Sequence, residues 1–169
     1  RRSVAVQADV SREVEVERMF GTVSAEFGRL DILVNNAGTT REEDIFETTL
    51  DSWHSIIDTN LTGTFLCSKQ AMEMMKERKA GRIINISSIV AYRGALYGHV
   101  HYASTKAGQL GFTKTLARTG APLGITVNAI APGLTATELL FDTHGKETIA
   151  ELEKSIPLGL GTVEEVGYA

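Results

Sequence analysis

Tyr102 and Lys106 lie four residues apart in the run HYASTKAG, and Ser88 precedes the tyrosine by fourteen residues. On a helix, positions i and i+4 share one face, so the phenol and the ammonium point the same way. A phenol titrating near ~10 is a poor base at neutral pH, and a neighbouring positive charge favours its ionised form. Ser88, presented from a separate loop, is placed to hydrogen-bond a substrate oxygen beside the phenol. These residue types suit moving a proton to or from a carbonyl or an alcohol. Tyr-x-x-x-Lys is a common helical spacing, so its meaning depends on the elements that position it.

Those elements alternate. Val4–Ala8 reads as a strand. Ser11 is a candidate N-cap for a helix through Phe27, with Val14, Met19, Phe20 and Val23 at helical spacing and Gly28 ending it. Asp31–Asn35 reads as a short buried strand. Asp51 is a candidate cap for a long helix from Trp53 to Lys76. Arg82–Ile86 is the next strand, and a glycine-containing loop from Ser88 to Val100 leads into the helix bearing Tyr102 and Lys106. Ile125–Ile130 is a further strand, a helix follows over Lys146–Lys154, and Glu164–Val166 starts another. Strand–helix alternation with continuously apolar strands predicts a parallel sheet covered on both faces, and ligands in such sheets bind beyond the carboxyl ends of the strands. Asp9-Val10, Asn36-Ala37-Gly38, Ser88 and Pro132-Gly133 all fall at such ends.

Composition bounds the function classes. The chain has 169 residues, 43% hydrophobic and 22% charged, which suits one domain with a sizeable core. A net charge of −4 without a basic block argues against nucleic acid, and no apolar stretch approaches a membrane span. The single cysteine, Cys67, sits in an apolar run and reads as a buried small hydrophobe in a reducing, cytoplasmic setting. It has no partner at metal-ligand spacing, so no metal site is predicted.

The motifs together resemble the short-chain dehydrogenase/reductases of the common bacterial type, near the 3-oxoacyl-carrier-protein reductases and the sugar or alcohol dehydrogenases. They are Asp9-Val10, Asn35-Asn36-Ala37-Gly38, Asn60 in NLTGTF, Ser87-Ser88, Tyr102 to Lys106, and Pro132-Gly133 with Thr137. The resemblance implies a Rossmann-like, doubly wound α/β/α domain and an NAD- or NADP-dependent oxidoreductase acting on a carbonyl or secondary alcohol. It implies Tyr102 as general acid/base, Lys106 lowering its pKa and holding the nicotinamide ribose, and Ser88 holding the substrate oxygen. Asn60 would fix a water that links Lys106 to solvent; without the resemblance it reads as a helix cap or an exposed amide. Asp9 and Val10 would contact the adenine, and Asn36, Ala37 and Gly38 would lie along the cofactor. Pro132, Gly133, Thr135 and Thr137 would meet the nicotinamide half, although an aliphatic residue usually stands where Thr135 does. The resemblance also implies a homodimer or homotetramer joined through the two long helices, with Phe65, Met72, Leu110 and Phe112 read first as core within one subunit. His99, His101 and His144 read as surface or substrate-loop residues.

The family's phosphate-binding glycine loop has no counterpart before Val4. Thr119–Thr126 has the nearest glycine spacing, but it contains Pro122 and leads into a strand, so it reads as a helix end and a turn. The sequence is therefore expected to be part of a longer chain, lacking the first two strands and the last strand of the family pattern. The segment that would choose between NAD and NADP is among those missing, and Arg1-Arg2 reads as a solvated loop. The alternative function is a catalytically silent association module. An epimerase or dehydratase shares Tyr-x-x-x-Lys, but the Asn-Asn-Ala-Gly run and the Pro-Gly loop favour the dehydrogenase branch. Leu139–His144 reads as an apolar lid.

Overall fold

β-Branched residues dominate three short runs, and these form the sheet: β1 (Ile32–Asn35), β2 (Gly81–Ile86) and β3 (Ile125–Ile130). The computed structural model describes residues 2–96, 98–143 and 145–169. All pairings are parallel, in the order β1-β2-β3, with Leu33, Ile83 and Val127 in one row and Asn35, Asn85 and Ala129 in another. Parallel neighbours need helical crossovers. One crossover runs through α2 (Leu50–Ile57), a π turn (Asp58–Thr62) and α3 (Gly63–Lys76); the other runs through α4 (Val90–Arg93) and α5 (Val100–Gly120). α1 (Glu13–Phe27) precedes the sheet, and α6 (Glu138–Thr143), α7 (Lys146–Lys154) and α8 (Val163–Tyr168) follow it.

The core lies on one face of the sheet. Val16 and Phe20 of α1 and Leu66, Cys67, Ala71 and Met75 of α3 pack on Ile83, Ile125 and Val127. Each large aliphatic or aromatic side chain among them, fully buried, is worth about 1.5–3 kcal/mol. The opposite face carries Ile32 and Val34, 50% and 51% exposed. On that same face Ile84, Ile86 and Ile130 are half-buried, Ile130 beside Ile156, Pro157 and Val166. The parallel α/β architecture is as expected.

Three local expectations need correction. Val4–Ala8 joins no ladder among the described residues, because an extended segment becomes a strand only beside a partner for its N–H and C=O groups. Ser11 does not cap α1: its hydroxyl donates to Asp9 Oδ1 at 2.7 Å, and the N-cap is Arg12, without a side-chain bond. Thr49, not Asp51, caps α2, its Oγ1 accepting from Ser52 N at 3.1 Å, so the helix starts at Leu50. Gly28 ends α1 in the left-handed conformation, φ 70°, as its position predicts. The predicted loop after Ser88 holds one helical turn, α4.

The Thr119–Thr126 stretch is the helix end and turn that its proline demands. Gly124 there has φ 65°, and a Cβ on it would lie 2.1 Å from Lys79 O. Gly124→Ala is therefore expected to destabilise the chain by about 3 kcal/mol in a denaturant melt, from backbone strain plus a clash that backbone must absorb. A change within about 0.5 kcal/mol, the range of a surface substitution, would contradict this packing.

Candidate active site

The carboxyl ends of β1, β2 and β3 bring the predicted residues to one rim. β2 leads into Ser87 and Ser88, which the structure separates cleanly. Ser87 is buried; its N–H donates to Ile130 O at 2.7 Å and its hydroxyl to Lys106 O at 2.8 Å, tying the sheet to α5. Ser88 is half-buried, its Oγ accepts Val90 N at 3.3 Å, and it lines a cleft of about 230 Å³ with Ile89, Leu96 and Leu134. Burial pushes the Tyr102 phenol above its ordinary pKa, and the Ser88 hydroxyl on it opposes that rise. The two hydroxyls therefore bear on each other, with Ser88 at the cleft.

Lys106 Nζ lies 5.5 Å from the Tyr102 ring centroid and donates to Ile86 O at 2.7 Å. Burial, which raises the phenol, also draws the Lys106 ammonium down, to about 8. An unfolded lysine holds its proton to about 10.4. Between those values the unfolded chain binds more protons, so stability rises with pH. Cys67, pushed up to about 11 by burial, opposes this above its ordinary 9.0, and Tyr102 does so above 10.0. From pH 8 to 9 the chain is therefore expected to gain about 1 kcal/mol, or about 2–4 °C in Tm, and Lys106→Met to lose that gain. A flat profile in the unsubstituted chain would contradict the buried ammonium.

Asn60 is neither a cap nor an exposed amide. It is 0% exposed and sits in the π turn, a helix defect that frequently marks functional positions. Its Oδ1 accepts Thr39 N at 2.8 Å, and its Nδ2 donates to Thr39 O at 2.9 Å and to Thr105 Oγ1 at 3.2 Å. Its main-chain O accepts from Thr64 Oγ1 at 2.7 Å and from Gln109 Nε2 at 2.9 Å. Thr105 Oγ1 donates in turn to Tyr102 O at 2.7 Å. Asn60 thus joins the loop after β1 to the helix of the tyrosine.

A buried polar network extends from there, most of which sequence reasoning missed. Asn35 Nδ2 donates to Asn85 Oδ1 at 2.8 Å and Ser68 Oγ at 2.9 Å, and Asn85 Nδ2 donates to Thr113 Oγ1 at 2.8 Å. Gln109 Nε2 also donates to Thr64 Oγ1 at 2.9 Å. The legible signal was an asparagine in each of two strands whose neighbours are apolar. The helix partners carried none, since Ser, Thr and Gln are ordinary on exposed helix faces.

The candidate cofactor residues are distributed along the same rim. Asn36, Ala37 and Gly38 are exposed beyond β1, and Gly38 passes Asn60 so closely that a Cβ would lie 3.4 Å from its Oδ1. Pro132 O accepts Ile89 N at 2.9 Å, Gly133 is exposed, and Thr135 pairs with Gly161. Thr137 Oγ1 accepts Leu140 N at 3.3 Å, opening α6. Asp9 holds Ser11 through Oδ1, which keeps its carboxyl below the usual range. Val10 packs on Gly63, where a Cβ would sit 2.8 Å from Val10 Cγ2. Arg2 pairs with Glu26, while Arg1 and His144 lie outside the described residues. His101 is buried, not on the surface: its ring is 0% exposed against Glu43. Phe65 is 47% exposed, against the core reading, whereas Met72, Leu110 and Phe112 are part-buried. No group of three metal-ligating side chains occurs among the described residues.

A family model described as Enoyl-(Acyl carrier protein) reductase matches residues 1–169. The chain belongs to the short-chain dehydrogenase/reductase family. It is 42% identical over 165 residues to a 3-oxoacyl-(acyl-carrier-protein) reductase of Synechocystis sp., covering 97% of this chain and 65% of that protein. It is 42% identical over 159 residues to an acetoacetyl-CoA reductase of Shinella zoogloeoides, covering 94% and 66%. A 3-oxoacyl-(acyl-carrier-protein) reductase of Staphylococcus aureus matches at 42% over 156 residues, 92% of this chain and 63% of that protein. The dehydrogenase/reductase chain thus spans about two thirds of the length of these relatives. No helix among its described residues is long and apolar enough to cross a membrane.

Proposed function

We propose that the chain carries the proton-handling side of an NAD- or NADP-dependent oxidoreductase acting on a carbonyl or secondary alcohol. The observation that carries this is the Ser88 hydroxyl bearing on the half-buried Tyr102 phenol, with Lys106 Nζ 5.5 Å from the ring and Ser88 itself lining a cleft. In the reducing direction the Tyr102 hydroxyl gives its proton to the oxygen that gains charge, while the Ser88 hydroxyl hydrogen-bonds the same oxygen. The Lys106 ammonium then stands beside the phenolate and lowers its cost. In the oxidising direction the phenolate takes the alcohol proton.

The residues present fit the nicotinamide half of the cofactor. Exposed Asn36–Gly38 and Gly133 leave backbone open to a close ligand, and Lys106, Pro132, Thr135 and Thr137 border the same rim. Asp9 and Val10 lie beyond the end of the 4–8 segment, where the adenine would be met. When bound, the nicotinamide supplies or accepts the hydride. The relatives' names and the apolar wall of Ile89, Leu96 and Leu134 support a 3-oxoacyl thioester as substrate.

Equilibrium titration of the chain with NADPH and NADH, followed by turnover with acetoacetyl-CoA, tests this reading. Binding of one nucleotide and its oxidation only with the thioester present is the expected result. A second reading, association of copies through α3 and α5, is favoured by half-exposed Phe65. No binding at millimolar cofactor, together with a dimer that Phe65→Ser abolishes, would favour it over the first.

A further inference from the structure

His101 stands beside Tyr102, and its ring is wholly buried. Its Nδ1 accepts the Tyr102 backbone N–H at 2.8 Å. That N–H belongs to the first turn of α5, where no carbonyl lies a turn behind; the first helical bond runs from Ala103 N to His99 O. The N-cap His99 makes no side-chain cap bond, so the His101 ring does a cap's task. Accepting at Nδ1 places the neutral ring's proton on Nε2. Nε2 is buried without a hydrogen-bond partner and faces Glu43 Oε2 at 3.5 Å, an electrostatic contact rather than a closed bond.

Glu43 belongs to the loop between β1 and α2, and that loop is fastened to the same helix end. Ser52 Oγ donates to Glu43 Oε2 at 2.5 Å, and Glu43 O accepts His99 N at 3.0 Å. Thr40 Oγ1 lies 2.9 Å from His99 Nδ1. Gly98 approaches so closely that a Cβ would meet Glu43 O at 2.8 Å. His99 itself holds the left-handed conformation, φ 59°, strain that persists where the surroundings impose it. Glu42 of this loop borders the cleft together with Ser88.

We propose that His101 is a positioning residue with two separable tasks: Nδ1 fixes Tyr102 at the head of α5, and Nε2–H latches the loop between β1 and α2, which borders the cleft, through Glu43. The inference rests on the carbonyl-reductase reading. Three variants separate the tasks: His101→Asn keeps an acceptor near Nδ1, His101→Gln keeps a donor near Nε2, and His101→Phe keeps neither. His101→Phe is expected to lower kcat about tenfold and raise the carbonyl KM about tenfold, since small misplacements of an acid are costly. His101→Asn should recover kcat alone, and His101→Gln should recover KM alone. A packing role would make the aromatic replacement the mildest and give Asn and Gln the same kcat and KM, and either pattern would overturn the proposal. Hydrogen exchange of the Tyr102 amide in the free full chain should quicken about tenfold in His101→Phe and stay near wild type in His101→Asn. That readout needs no turnover: an inactive chain with this exchange pattern refutes the reductase reading and keeps the cap, whereas equal exchange in all variants refutes the cap.

Discussion

Tyr102→Phe is expected to cut carbonyl reduction by about three orders of magnitude while leaving nucleotide affinity within about twofold. Phenylalanine keeps the ring beside Lys106 and leaves the Lys106 bond to Ile86 O untouched. Only the proton donor goes. Ser88 cannot replace it: a serine hydroxyl stabilises an alkoxide by hydrogen bonding but holds its proton too firmly to give it up. Burial raises the phenol, so the cofactor-free tyrosine is an acid in waiting rather than a base. For oxidation to run near pH 7, a positive charge brought to the phenol must lower it by more than the roughly three units that separate an ordinary phenol from 7, a cost above about 4 kcal/mol. The Lys106 ammonium and the ring of an oxidised nicotinamide are the candidates. Reductase activity above about a tenth of wild type in Tyr102→Phe would remove the tyrosine from the account.

The largest effect on stability is expected from Asn60→Leu. Leucine fills the space but abandons Thr39 N and O, while Thr105 Oγ1 keeps its bond to Tyr102 O and loses one donor. Each orphaned group costs about 1–3 kcal/mol, so a loss of about 4 kcal/mol, or about 10 °C in Tm, is expected in a thermal melt. Activity in the surviving folded fraction should fall as well, because Thr39 begins the loop that faces the tyrosine helix. A Tm within about 2 °C of wild type would show that Asn60 does not join these elements.

Much of this was legible in the sequence for physical reasons. β2 and β3 announce themselves as β-branched runs, and Gly28 and Gly124 stop their elements because only glycine adopts those backbone angles cheaply. Tyr102 and Lys106 share a face by helical geometry alone. What stayed hidden depends on contacts distant in sequence. His101 reads as a surface residue until Glu43, 58 positions earlier, is brought against it. The π turn at Asn60 has no compositional signature, since Asp-Thr-Asn-Leu-Thr suits an ordinary helix. The caps of α1 and α2 are illegible in sequence because Ser11 and Asp51 are both competent caps; what decides is that Ser11 bonds Asp9 Oδ1 and Thr49 receives Ser52 N. Val4–Ala8 has strand composition, but pairing needs a second segment that composition cannot supply.

Transfer of deuterium from cofactor to substrate tests the central claim most directly. NAD(P)H labelled at C4 is mixed with excess chain and acetoacetyl-CoA, and the product is analysed by mass spectrometry after a single turnover. The account predicts deuterium on the carbinol carbon with the wild-type chain and none with Tyr102→Phe. Bound nucleotide with no label in the wild-type product, or equal labelling in both proteins, would contradict it.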